Sequence, residues 1–323
     1  MKIAILADIH ANAYALRAVL EDCQDQDVDE YWALGDFVGY GPHPVPALRF
    51  LCQYVRPDAW VMGNHDAMMA DLLLAEEKGA RELRLRVGGG KVPEIRVRGV
   101  FMSSDEWKDT NAAPVDAIVL NRSALAKDID IDTWWQAAFT RERISPASLE
   151  VDNISCVLVH ASQEKPLSRY IYGWHKEIHI PRELAHLEVK GRKGNPVIQF
   201  YGHTHVPTFV RAAKQEGGFS IHAERVLPGR DFVLEENSLY LINPGSVGQP
   251  RDRDRRSSYL IFDTQNRNIR FRRVEYDYVQ TASDLVSGGY QDSLIRRLRD
   301  ALATEETPDE WLSDLGEAVV HEQ

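Results

Sequence analysis

The sequence predicts an α/β protein with one mainly parallel sheet and a second sheet that contains antiparallel pairs. Five apolar runs of strand length each break off at a polar or glycine turn. Between the first of these runs lie stretches with helical apolar spacing, an alternation that favours parallel strands. After residue 207, strand-like runs follow one another without long helices, which favours antiparallel pairing.

Residues 2–7 (KIAILA) form the first strand and stop at Asp8. A helix follows over Ala13–Asp25, with Asn12 as its N-cap and Leu16, Val19, Leu20 and Cys23 on one face. Residues 31–34 run into Gly35-Asp36, and a second helix, entered through prolines, covers Pro44–Tyr54. Residues 59–62 run into Gly63-Asn64. A long insertion over 67–153 comes next. It is expected to be helical over 68–83, to pass a Gly88-Gly89-Gly90 loop and a mixed basic stretch to Phe101, and to be helical again over about 113–140. Residues 154–159 then lead to His160, and 197–201 to Gly202-His203. Strands are expected at 208–211, 238–242, 259–263 and 269–276, with residues 212–236 as an extended hairpin. Residues 1–280 are expected to form one domain and 281–323 a helical extension. Its last helix begins at Thr307-Pro308-Asp309-Glu310 and lays Trp311, Leu312, Leu315 and Val319 on its own domain.

A chain of 323 residues can bury a large core. Its net charge of −11 argues against general binding to nucleic acid or to an anionic membrane. It leaves room for a small phosphorylated substrate held at a locally positive metal site. The three cysteines, Cys23, Cys52 and Cys156, have no paired spacing and read as reduced core thiols in helix or strand segments. The N-terminal apolar run is too short for a signal peptide, and nothing approaches membrane-spanning length. These features point to the cytoplasm; oligomeric state is left open.

Four motifs and a lone histidine occur in order: Asp8-Ile9-His10, Gly35-Asp36, Gly63-Asn64-His65-Asp66, His160 and Gly202-His203-Thr204-His205. Nearly all stand where a strand ends, the edge at which open α/β sheets collect ligands. Extended backbone would place Asp8 beside His10 and His203 beside His205. Two aspartates, an asparagine and several histidines are the donors of a two-metal hydrolytic centre. Any one of these histidines alone reads better as a hydrogen-bonded structural residue. His43, His175, His179, His186, His222 and His321 belong to no motif and are read that way.

Taken together, these motifs resemble those of the calcineurin-like metallophosphoesterases, over about residues 1–280. Gly35 to Pro42 (GDFVGYGP) and Asn243 to Asp252 (NPGSVGQPRD) resemble its bacterial branch of small phosphodiesterases and symmetrical diadenosine-tetraphosphate hydrolases. The resemblance implies two face-to-face mixed sheets flanked by helices, an α/β/β/α sandwich. It implies that Asp8, His10 and His205 hold one divalent transition metal (Mn, Fe, Zn or Ni), that Asn64, His160 and His203 hold a second, and that Asp36 bridges both. Hydrolysis would then follow in-line attack by a hydroxide between the metals, which stand about 3.5–4 Å apart in such centres. His65 would serve the leaving oxygen, with Asp66 orienting it.

Asn64, Tyr40 and Arg251 are candidate substrate contacts. Protein phosphatases of this superfamily carry Arg-Gly after the Gly-Asp strand and Glu after the Asn-His pair. Here Val38-Gly39-Tyr40-Gly41 and Asp66 stand in those places. The missing arginine removes a bidentate phosphate clamp. Arg169, Arg251 and Arg253 are candidate replacements, although a charge run such as 251–253 ordinarily faces solvent. A phosphomonoesterase and a metal-binding scaffold that recruits protein partners are the alternatives, and the intact ligands and His65 favour the enzyme. Trp107, Trp134, Trp135 and Trp174 are candidates for stacking on a base, although aromatic side chains most often build core.

Overall fold

The computed structural model describes residues 1–72, 83–86, 94–175, 179–189, 194–226 and 228–301. Strands β1 (Lys2–Leu6), β2 (Glu30–Ala33) and β3 (Val55–Trp60) pair in parallel. Helices α1 (Ala13–Asp25) and α2 (Pro44–Tyr54) connect them, and the Asn12 side chain caps α1 by accepting from Ala15 N at 3.2 Å. α3 (Asn64–Asp71) opens the insertion, followed by the hairpin β4 (Leu83–Arg86) and β5 (Glu94–Val97). Then come α4 (Ser104–Asp109), α5 (Ala112–Leu125) and α6 (Ile129–Ala138).

The chain returns through β6 (Ala147–Val151), β7 (Ile154–Leu158), α7 (His179–Glu188) and β8 (Val197–Phe200). β9 (Thr208–Gln215), β10 (Gly218–Arg225), β11 (Asp231–Val233), β12 (Ser238–Asn243), β13 (Ser257–Asp263) and β14 (Asn268–Val274) complete the sheets. The first sheet has the order β11-β14-β13-β1-β2-β3 and the second β10-β9-β12-β8-β7-β6. Both mix parallel and antiparallel pairs, so the α/β/β/α sandwich is the fold.

Burial explains the layering. Ile3, Ala4, Ile5 and Leu6 are all fully buried, as expected of a strand covered on both faces. Trp32 and Phe262 of the first sheet meet Phe200 of the second at ring-centroid distances of 6.3 and 5.6 Å, so the sheets face each other across an aromatic seam. On the second sheet's outer face, Ile180, Leu184 and Leu187 of α7 pack on Val157, Val197 and Leu241. The carboxyl ends of β1, β2, β7 and β8 point to one edge of this sandwich.

Four expectations change. The helix anticipated over 68–83 ends at Asp71, and Leu83 belongs to β4. LRLR has the two-residue alternation of a strand, and it pairs with Glu94–Val97. The hairpin anticipated over 212–236 starts earlier, at Thr208, and turns at Glu216-Gly217. Cys52 is exposed, while Cys23 and Cys156 are buried and all three thiols are free. Trp107 and Trp135 are core residues and Trp134 packs against the core, which removes them as base platforms.

Past β14 the chain adds α8 (Tyr278–Ser287) and α9 (Asp292–Asp300). α9 packs Leu294 against Tyr40 and Ala117. The Gly88-Gly89-Gly90 loop and the 307–319 helix lie outside the described residues. Among the described residues, no helix is long and apolar enough to cross a membrane.

Candidate metal centre

The metal-binding motifs occupy the turns just past the strands, not the strands themselves. β1 ends at Leu6, and Asp8 and His10 have φ of 53° and 48°. Asp36, His203 and His205 have φ of 55°, 67° and 59°. The extended i, i+2 arrangement expected of these pairs is therefore replaced by left-handed turns. Each such residue costs on the order of 1–3 kcal/mol of backbone strain, a conformation Asp, Asn and His tolerate better than other non-glycine residues. Neighbouring bonds hold the turns in place. Ser246 Oγ donates to Asp8 O at 2.8 Å, Asn243 Nδ2 to Gly202 O at 2.7 Å, and Gly248 N to Asp8 O at 3.0 Å. The NPGSVG segment thus ties the first motif to the last.

The turns bring all seven predicted ligands together. Donor atoms of Asp8, His10, Asp36 and His205 lie within 4.8 Å of one another and could hold a metal ion. Beside them, His160 Nε2 is 3.1 Å from Asn64 Oδ1, and the His160 and His203 rings are 5.1 Å apart. Asp36 stands between the two groups. Its Oδ1 accepts from His65 N at 2.9 Å, while Oδ2 lies 3.5 Å from both His10 Nε2 and His160 Nε2. Only glycine fits behind this carboxylate: a Cβ on Gly63 would lie 2.1 Å from Asp36 Oδ1.

Tautomers follow from the acceptors around the rings. His10 Nδ1 donates to Val38 O at 3.0 Å, His160 Nδ1 to Leu34 O at 2.7 Å, and His205 Nδ1 to Gln249 O at 2.6 Å. A carbonyl can only accept, so Nδ1 carries the proton and Nε2 presents a lone pair. His10 Nε2 and His205 Nε2 face each other at 3.1 Å. Two lone pairs at that distance repel unless a cation lies against both. His203 Nε2 is buried with no hydrogen-bond partner. These are the signs of residues that fit metal ions.

The electrostatics agree. Burial holds His10, His203 and His205 well below the ordinary imidazole range and His160 down to about 4, so all four are neutral donors at pH 7. Burial pushes Asp8 well up, reinforced by the Asp36 charge, and pushes Asp36 up to about 8. Two carboxylates crowded into a dry site call for positive charge, and a bound cation would reverse those shifts.

His65 lies beside the ligands. Its ring is 4.8 Å from that of His10 and 4.4 Å from that of Tyr40. Gly39 backs it so closely that a Cβ there would fall 2.2 Å from His65 Nδ1. The Asp66 carboxylate faces elsewhere. It accepts from the backbone N–H groups of Asp36, Phe37, Val38 and Gly63, at 2.7, 2.9, 3.3 and 2.9 Å. Buried His65 Nδ1 has no hydrogen-bond partner, so Asp66 does not orient it as the resemblance implied. Asp66 instead clamps the Gly35-Asp36 turn to the start of α3.

Arg251 is half-buried and not a solvated charge. Its Nη2 donates to Tyr40 Oη and to Gln249 Oε1, both at 3.2 Å. Burial opposes its charge, yet Tyr40, Tyr170, Tyr172 and Asp8 outweigh that and hold its pKa up. Arg253 is exposed, and Arg169 pairs with Glu164.

A cleft of about 910 Å³ opens over Asn64, His65 and His203, with Tyr40 and Tyr170 on its lining. Tyr170 stacks on the His203 ring at 4.1 Å and 24°. Sequence reasoning missed Tyr170, the Gln249 carbonyl and the cleft wall around Phe101. The first two carry no motif, and the third depends on how the insertion folds back.

Fold and site together are those of a calcineurin-like phosphoesterase domain whose Asp and His cluster could hold a metal ion. Residues 1–267 match the calcineurin-like phosphoesterase superfamily domain, and the chain belongs to that superfamily. It is 27% identical over 297 residues to an uncharacterized protein of Methanocaldococcus jannaschii, covering 92% of this chain and 96% of that protein. Among solved structures, a metallophosphoesterase from Sphaerobacter thermophilus is 27% identical with a TM-score of 0.64, covering 94% of this chain and 99% of that one. A hypothetical protein from Pyrococcus horikoshii shares the fold at 14% identity and a TM-score of 0.63, with the same coverage.

Proposed function

We propose that this protein is a dinuclear-metal phosphoesterase that hydrolyses a small phosphodiester or the anhydride of a nucleoside polyphosphate. The observation that carries this reading is the position of Asp36 Oδ2, 3.5 Å from both His10 Nε2 and His160 Nε2, between two sets of donors. Asp8, His10 and His205 would hold one cation, and Asn64, His160 and His203 the other. Imidazole and carboxylate donors suit Mn, Fe, Zn or Ni better than Mg or Ca. Two such cations would supply Lewis acidity toward the phosphoryl oxygens and activate water for attack.

The chain's own groups do the rest. Nδ1–H bonds to Val38, Leu34 and Gln249 fix three imidazoles before substrate arrives. Arg251, braced by Tyr40 and Gln249, offers a cation to a phosphate oxygen in place of the missing clamp. His65 borders the cleft from beside Asn64, placed to serve the departing oxygen; burial holds its ring well below the ordinary imidazole range, so it would act as an acid only once the charge of bound substrate raises it. No ligand-type residue of the motifs is lost, which weighs against a purely scaffolding role.

Turnover of bis(p-nitrophenyl) phosphate tests the proposal. A chelator should abolish it and Mn should restore it. Asp36→Ala should lose more activity than His205→Ala, because the bridging carboxylate serves both cations. An Asp36→Ala protein with near-normal activity and two bound metals would refute the bridge.

A further inference from the structure

The cleft has an asymmetry that bears on the substrate. It adjoins His65 and two ligands of the second set, Asn64 and His203, while Asp8, His10 and His205 do not line it. The wall contributed by the insertion has an apolar part, where Phe101 and Met102 join Met68 of α3. It also carries Asp105 and Glu106, and among the described insertion residues that line the cleft none is Lys, Arg or His. Glu106 is fixed there by Ser103, whose N and Oγ both donate to its Oε2 at 2.8 Å.

This wall is tied to the helix that carries Asn64 and His65. Asp71, the last residue of α3, is fully buried. Its Oδ1 accepts from Val100 N at 2.8 Å and Phe101 N at 3.1 Å, and its Oδ2 from Phe101 N at 3.0 Å and Met102 N at 2.8 Å. Its backbone carbonyl also accepts from Arg98 N at 2.7 Å. A carboxylate that satisfies three consecutive backbone N–H groups is a strong charge-assisted anchor. It ties the backbone around Phe101 to the far end of the helix that carries His65.

We propose that the Phe101–Glu106 wall is the leaving-group subsite, that Asp71 is its positioning residue, and that the group it takes is a bulky, uncharged alcohol with an apolar face. The proposal rests on the phosphoesterase reading above and narrows it. A flat apolar group gains by packing on Phe101 and the two methionines, which adapt to irregular shapes. Asp105 pairs with Lys108 at 3.2 Å, so a leaving group that carries further phosphate meets its like charge chiefly in the Glu106 carboxylate, which disfavours it there, while the cleft's Lys165 and Arg169 come from outside the insertion. The phosphodiester is therefore favoured over the polyphosphate anhydride.

Three Mn-dependent rates test this. Two substrates are diesters of methyl phosphate that differ only in the leaving alcohol, p-nitrophenol or trifluoroethanol; the third is diadenosine tetraphosphate, whose leaving group is charged. Wild-type kcat/KM should be higher for the aryl diester than for the tetraphosphate, and Asp105→Asn with Glu106→Gln should narrow that gap. Phe101→Ala should lose about tenfold or more on the aryl ester relative to its loss on the trifluoroethyl ester. Asp71→Asn should reproduce that selective loss with metal content unchanged. Equal losses on both esters, or a wild-type preference for the tetraphosphate, would overturn the subsite. A wild-type protein that hydrolyses none of the three with bound metal would instead overturn the phosphoesterase reading itself.

Discussion

Asp36 is the residue on which the site turns, and its protonation gives a signed prediction. Burial raises it to about 8, so between the ordinary carboxylate range and pH 8 the metal-free fold keeps a proton that the unfolded chain has released. That burial therefore costs stability as pH rises through this window. The histidines have the opposite sign: below about 6.5 the unfolded chain takes protons that buried His160, held to about 4, refuses. A bound metal needs the carboxylate. Metal uptake at pH 7 should release protons, and affinity should rise with pH up to about 8, with little opposition from the imidazoles. Calorimetry in buffers of different ionisation enthalpy measures the release; uptake without it would contradict the assignment. His65 supplies a second prediction. His65→Ala should keep its metals and lose on the order of 10²–10⁴-fold in rate with a poor alkoxide leaving group, and much less with p-nitrophenolate, which departs without a proton. Equal losses with both would point to charge stabilisation instead. At this scale the sequence was highly legible, since the structure gathers all seven motif residues. The carbonyls of Leu34, Val38 and Gln249 that set the tautomers were not, because any residue type supplies a carbonyl.

At the scale of elements, the strand-end turns carry the chemistry and Asp66 holds two of them together. Asp66→Ala would leave four backbone N–H groups without their acceptor. The expected loss is about 3 kcal/mol or more of stability, together with weakened metal binding, because the Asp36 turn loosens. Thermal unfolding and metal analysis check it; unchanged behaviour in both would mean the clamp is dispensable. The role assigned to Asp66 from its neighbour in sequence was wrong for a readable reason. Adjacent residues on α3 point in different directions, so His65 faces the cleft while Asp66 faces the backbone of the Gly35-Asp36 turn. Strands and helices with clear periodicity, such as β1, α1 and α2, lay where the pattern put them. The insertion was harder. Its helix was extended past Asp71 because nothing local marks that aspartate as the acceptor for residues 100–102, contacts that appear only when the chain returns through β5.

At the scale of the molecule, the site exists only where the two sheets meet. Asp8 and Asp36 come from the first sheet's turns, and His160, His203 and His205 from the second's. Anything bound there therefore links the halves of the sandwich. Each cation at about 100 times its dissociation constant should add about 2.7 kcal/mol to stability. At roughly 2–4 °C per kcal/mol for a chain of this order of size, two should raise the melting temperature by on the order of 10 °C, and a chelator should reverse it. A melting temperature indifferent to Mn and to chelator would argue against a site that spans both sheets.

The central claim is that Asp36 bridges two metal sites. The most direct measurement is electron paramagnetic resonance of the Mn-loaded protein, with Mn content determined on the same sample. Two Mn per chain with the spectrum of an exchange-coupled pair, replaced in Asp36→Asn by uncoupled Mn or by lost metal, is the predicted result. A single isolated Mn per wild-type chain, or a coupled pair that persists unchanged in Asp36→Asn, would contradict it.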